Sequence, residues 1–277
     1  MTGPNAYANR AERARHYGLW AITLLVLGFL ILPILIIVPL SFSSGSFLTF
    51  PLPGLSLRWY QEFFSSPVWQ LSLRNSLIVA SATTVVATAL GTLAALGLTR
   101  APLPGQTLLM GLIVSPMVVP LVIVAVGAYF AYAPFGLTGS LLGLTLVHIA
   151  LAVPFVVITV SATLQGFDPN HARAAASLGA SPAVVFVRII LPLILPGVVS
   201  GALFAFVTSF DEVVVALFLT GPAERTLPRQ MFNGMRENIS PVIAAAASLL
   251  ILLSIVLLTT IELLRRRNER LRGIRAA

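Results

Sequence analysis

The chain has 277 residues and a formal net charge of +8; 57% of it is hydrophobic and only 9% charged, where a soluble domain carries about 25%. So little charge cannot coat a globule in water; lipid is the expected solvent, and Arg residues gathered at the ends of apolar runs read as membrane flanks, not as a nucleic-acid surface. The lack of Cys excludes disulfides and thiolate metal sites, and the lack of Lys excludes a P-loop, so ATP hydrolysis by that route must come from another chain.

A membrane-crossing helix needs about 20 apolar residues. An Arg-bearing tail, 1–17, precedes the first such run, 18–40. That run is longer than a signal-peptide core of about 7–15 residues, so a retained helix is expected. The segment 41–74 mixes Trp59, Tyr60, Phe63, Phe64 and Trp69 with Arg and Glu, which suggests a short helix at the interface. It reads either as an aromatic belt or as a docking surface for an outside partner.

The second run, 75–99, lies between Arg74 and Arg100; the third is 107–131 and the fourth 140–164. Pro116, Pro120 and Pro154 are expected to kink these helices, which a membrane tolerates where freed backbone groups face protein or a watery path. Gly91, Gly97, Gly111 and Gly127 read as close-packing positions. His148 has no acid or second His four residues away and reads as a hydrogen-bonded packing residue. The fifth run, 193–219, is interrupted by Asp211 and Glu212; the sixth is 241–262, followed by a basic tail, 263–277. With the amino terminus inside, 12 Arg residues fall on inner segments and five on outer ones, so both termini are expected in the cytoplasm.

Between the fourth and fifth runs lies QGFDPNHARAAASLGASPAVVFVRIILP. Asp168-Pro169 is a cap followed by proline, a helix start. Residues 171–178 fill two turns, Gly179 suits a left-handed helix end, and Ser181-Pro182 starts a second helix toward Pro192. The first of these helices is nearly bare of bulk, so it buries little of its own core; it reads either as a surface that fits a groove on another protein or as an ordinary cytoplasmic loop of good helix formers.

Asp211 and Glu212 admit two readings. An ionisable group at membrane depth is a functional candidate: carboxylates there suit a cationic solute, with Phe206, Phe210 and Phe218 adding cation–π contacts. Alternatively, Ser209-x-x-Glu212 is a capping box at which the helix breaks and restarts. Arg225, Arg229 and Arg236 in the last outer loop either meet acids of an outside protein or solvate the loop.

The spacing Arg173-Ala174-Ala175, Gly179, then nine residues, then Ile189-x-Leu191-Pro192 resembles the EAA loop, E-A-A-x-x-x-G-x(9)-I-x-L-P, of the membrane permeases of binding-protein-dependent ABC importers. LSLRWYQEFF, NSLIVASATTVVATALGTLAALGLTR and SFDEVVVALFLTGPAERTLPRQMF are similar to stretches of the spermidine/putrescine-type permeases. The resemblance implies an all-α, polytopic chain of six transmembrane helices with the type I ABC importer permease fold, in a bacterial inner membrane. It implies that segment 168–191 is a coupling helix docked on a cytoplasmic ATPase, and that the chain holds no cofactor and is not itself an enzyme. The implied partners are a second homologous permease forming a heterodimer, two ATPase subunits and a periplasmic or extracellular solute-binding protein. Arg173 departs from the pattern, which has Glu there to pair with a basic ATPase residue; a compensating acid on the ATPase is expected. A stand-alone channel or secondary transporter would be expected to show an inverted repeat, and an intramembrane enzyme to show paired catalytic groups.

Overall fold

The computed structural model describes residues 9–100, 104–237 and 239–271, so parts of both expected tails, residues 1–8 and 272–277, lie outside it. Among the described residues there is no strand, only an isolated antiparallel bridge between Ser43 and Leu55. The chain divides into two compact units, residues 1–64 with 238–250, and residues 65–237 with 251–277.

In the first unit, α1 (Arg10–Ser41) opens on a capping box: Glu12 accepts the Asn9 N–H at 3.1 Å while Asn9 Oδ1 accepts from Arg10 N at 2.7 Å. Its apolar run is exposed to the surroundings, as a lipid-facing helix must be. The following turn is fastened by α2 (Arg58–Ser65). There Trp59 donates its indole N–H to the Ser43 carbonyl at 2.8 Å, and the Tyr60 and Ser41 hydroxyls pair at 2.7 Å. Trp59 and Phe63, four residues apart on one helix face, are buried, whereas Phe64 is exposed. The aromatic residues therefore close this turn first. α12 (Pro241–Leu271) begins in this unit and ends in the other.

The second unit is built on α3 (Pro67–Arg100), α6 (Leu141–Gln165) and α9 (Leu191–Phe210). The three pack against one another, and glycines let α6 approach the other two closely. A Cβ on Gly91 of α3 would lie 2.6 Å from Val156 Cβ, one on Gly201 of α9 3.0 Å from Val156 Cα, and one on Gly197 2.2 Å from Thr163 Oγ1. Val156 is fully buried among Ala87, Ala152, Val160, Ile194 and Ala205. Lipid tails give helices no hydrophobic reason to associate, so this contact depends on close approach. Gly97, Gly111 and Gly127 have nothing within 4 Å of an added Cβ, so within this chain the packing expected of all four glycines applies to Gly91 alone.

The third apolar run departs from the expected single helix over 107–131. It forms α4 (Gln106–Val118) and α5 (Leu121–Tyr132), bent by 102° at the break. The cause is Pro120, which pushes Val119 out of helical geometry to φ −71°, ψ 131°. Pro116 and Pro154 remain inside intact helices. Among the described residues, five helices are long and apolar enough to cross a membrane, and six if the bent pair is one span. The fold is an all-α, multi-pass membrane architecture.

Candidate functional site

Two polar interruptions stand at opposite ends of α9, the segment 168–191 before it and residues 211–213 after it. The helix has 20 residues, about 30 Å at 1.5 Å per residue.

In the first, the Asp168 carboxylate accepts the Asn170 N–H at 2.9 Å and starts α7 (Asn170–Ser177). α7 ends in a Schellman motif: Ala180 N donates to Ala175 O at 3.1 Å and Gly179 N to Ala176 O at 2.9 Å. Gly179 has φ +84°, a conformation that costs a side-chain-bearing residue about 1–2 kcal/mol. Ser181 caps α8 (Pro182–Val185) through the Val184 N–H. The chain then widens into a π-helical turn over 186–190, with Leu191 N donating to Phe186 O. Pro192, which has no N–H and whose ring would collide with the carbonyl one turn back, accounts for that widening.

Of the residues matching the motif, Arg173, Ala174, Gly179 and Pro192 are exposed, and Ala175, Ile189 and Leu191 half-buried. Leu178, at the tip, is 89% exposed. As its bare side chains suggest, α7 has no fully buried residue. The bare helix does pack on its own protein: Ala172, Ala175 and Ala180 rest on the core cluster containing Val185 and Ile190. Small side chains here let α7 lie close to the bundle while its other face stays open. A cavity of about 500 Å³ beneath it is lined by Phe167, Arg173, Ala176 and Val185, among others.

At the second interruption α9 stops at Phe210, and α10 (Val214–Leu219) restarts after three residues. The Ser209–Glu212 capping box does not form. Glu212 alone caps α10, accepting Val215 N–H at 2.8 Å and Ala216 N–H at 3.2 Å. Ser209 turns the other way, to His148 Nδ1 at 2.8 Å. His148 Nε2 lies 3.4 Å from Glu212 Oε2. Glu212 is buried, Asp211 exposed, and Phe210 buried in a stack on Phe206 with ring centroids 5.3 Å apart. His148 is the hydrogen-bonded packing residue its position suggests, but its acid, Glu212 in the break after α9, stands 64 residues along the chain, where no i±4 spacing reaches.

Beyond α10 the loop is tied to α3. Asn75 Nδ2 donates to Ala223 O at 2.9 Å and to Arg225 O at 3.1 Å, and Leu227 N donates to Ser76 Oγ at 2.8 Å at the start of α11 (Leu227–Glu237). Arg225 donates to Pro222 O at 2.7 Å and to Gln230 Oε1 at 2.8 Å; Arg229 donates to Gly221 O at 2.8 Å and to both oxygens of Thr220. Burial and the neighbouring Arg225 pull the Arg229 guanidinium below its ordinary range, and Glu224 opposes them. These two arginines fasten the loop, and Arg236 is the exposed one, 5.9 Å over Phe232.

Residues 87–270 match the family described as binding-protein-dependent transport system inner membrane component. The chain belongs to this family of membrane permeases. It is 32% identical over 225 residues to the spermidine/putrescine transport system permease protein PotC of Haemophilus influenzae, covering 81% of this chain and 87% of that one. It is 33% identical over 235 residues to the putrescine transport system permease protein PotI of Escherichia coli, covering 82% and 83%. The trehalose transport system permease protein SugB of Mycobacterium tuberculosis is 30% identical over 211 residues, 75% of this permease and 77% of its own length. Among solved structures, a bacterial ABC transporter involved in the import of the acidic polysaccharide alginate superposes with a TM-score of 0.73 at 14% identity, over 93% of this permease and 99% of that chain. At that identity the likeness is one of fold, and it matches the ABC importer permease architecture.

Proposed function

We propose that this permease is the membrane subunit of an ATP-driven importer that moves a polyamine, putrescine or spermidine, across the bacterial inner membrane by alternating access. The observation that carries the substrate class is the identity, above 30% over about four fifths of the chain, with two polyamine permeases. An exposed carboxylate, Asp211, beside a break in an apolar helix suits a solute charged at both ends. The related trehalose permease favours a second reading, the same importer with an uncharged solute.

Both termini face the cytoplasm, as the Arg distribution favours. A loaded binding protein docks outside. Two ATPase subunits close beneath a heterodimer of this permease and a second homologous one. Segment 168–191 docks in an ATPase cleft through the open face of α7 and exposed Leu178, while Ala175 and Leu191 tie it to the bundle. α9 carries its motion about 30 Å to Asp211 and Glu212. The permease itself binds and re-orients; it makes and breaks no covalent bond.

Co-purification with an ATPase, and ATP hydrolysis that rises on adding the loaded binding protein, test the assembly. Failure of both discards the importer reading. Arg173, exposed on α7, replaces the Glu of the resembled motif, and its partner is an acid on the ATPase. Arg173→Glu is expected to lower transport with the native ATPase about tenfold, about 1.4 kcal/mol of lost coupling, with normal membrane levels. Transport at or above wild type removes the compensating acid.

A further inference from the structure

In the sequence His148 stands alone on its helix. The fold brings it partners from across the bundle. It is 1% exposed, on a turn of α6 whose neighbours Leu144, Val147 and Leu151 pack against Val215, Ala216 and Leu219 of α10. Its Nδ1 meets Ser209 Oγ at 2.8 Å, before the break, and its Nε2 lies 3.4 Å from Glu212 Oε2, after it. One imidazole therefore holds both sides of the interruption. A carboxylate only accepts, so the tautomer that suits this pair carries its proton on Nε2 and leaves Nδ1 to accept from the Ser209 hydroxyl. Nε2 makes no hydrogen bond as it stands, and the Glu212 carboxylate beside it is an ion-pair contact at 3.4 Å.

The adjacent acids differ in every respect that matters. Both oxygens of Glu212 accept backbone N–H groups of α10, and its side chain is turned from solvent toward His148. Asp211 is exposed. We propose that His148 is a positioning residue: acting through Glu212, it fixes the break between α9 and α10 and so sets how Asp211 faces the solute path. Glu212 then serves the backbone and Asp211 the solute. This rests on the reading of Asp211 as a path residue.

The lack of native cysteine makes the test direct. In the assembled transporter, Asp211→Cys puts a single thiol in this chain. Its rate of modification by a cationic, water-soluble methanethiosulfonate reports how position 211 meets water, whatever the solute. The thiol is expected to react. His148→Phe changes that rate at least about fivefold, Glu212→Gln changes it similarly, and the double variant changes it no further, because the residues act in series. His148→Gln, which keeps a donor toward Glu212, retains the parent rate, whereas His148→Asn, too short to reach it, does not. If His148→Phe fails to accumulate, the Gln and Asn variants decide. A rate indifferent to His148, or effects of His148 and Glu212 that multiply, overturns the positioning role. A thiol at position 211 that never reacts overturns instead the path reading beneath it.

Discussion

Gly197→Leu is expected to leave almost no assembled permease in the membrane. A Cβ at that position would lie 2.2 Å from Thr163 Oγ1, 2.9 Å from Thr163 Cβ and 3.0 Å from the Thr159 carbonyl. The first of these atoms is a short side chain already donating to Thr159 O at 3.0 Å, and the last is backbone. Neither yields without moving α6 from α9. Overpacking a tight core costs about 1–3 kcal/mol, and more where backbone must move. Here the contact also sets the seat of Val156 against α3. Gly97→Leu, with nothing within 4 Å, is the control and is expected to accumulate as wild type. Membrane levels by immunoblot and thermal stability in detergent check both; equal levels of the two variants would contradict the packing account.

Asp211→Asn is expected to abolish most uptake while leaving assembly intact. Asp211 is exposed, and no backbone group depends on its charge, since Glu212 caps α10. Losing one charge of a partly dry cation–carboxylate pair costs about 2 kcal/mol, roughly thirtyfold in uptake. Glu212→Gln behaves differently. It replaces one of the two oxygens that accept α10 backbone N–H groups with a donor and removes the charge facing His148, so its first effect is a lower level of folded permease. Uptake normalised to membrane level separates the two. If Asp211→Asn lowers the level as much as Glu212→Gln does, Asp211 is structural.

Where residues act on near neighbours, the sequence was readable. The turn around Gly179 involves residues 174–185, and its caps and prolines announce each boundary. The apolar runs likewise locate the helices, because lipid allows few alternatives. What could not be read depends on contacts far apart in the chain. Nothing local tells Gly91, which meets Val156, from Gly97, which meets nothing. The Ser209–Glu212 spacing fits a capping box, but the fold gives the Ser209 hydroxyl a stronger competitor in His148. Pro120 marks a kink in the sequence, but the size of the bend, 102°, is visible only in the fold.

The decisive measurement is ATP-dependent uptake of labelled putrescine into proteoliposomes holding this permease, its companion permease, their ATPase and binding protein. Saturable uptake that requires ATP and falls with Asp211→Asn is the predicted result. ATP hydrolysis stimulated by the binding protein without any putrescine or spermidine uptake would contradict the polyamine assignment.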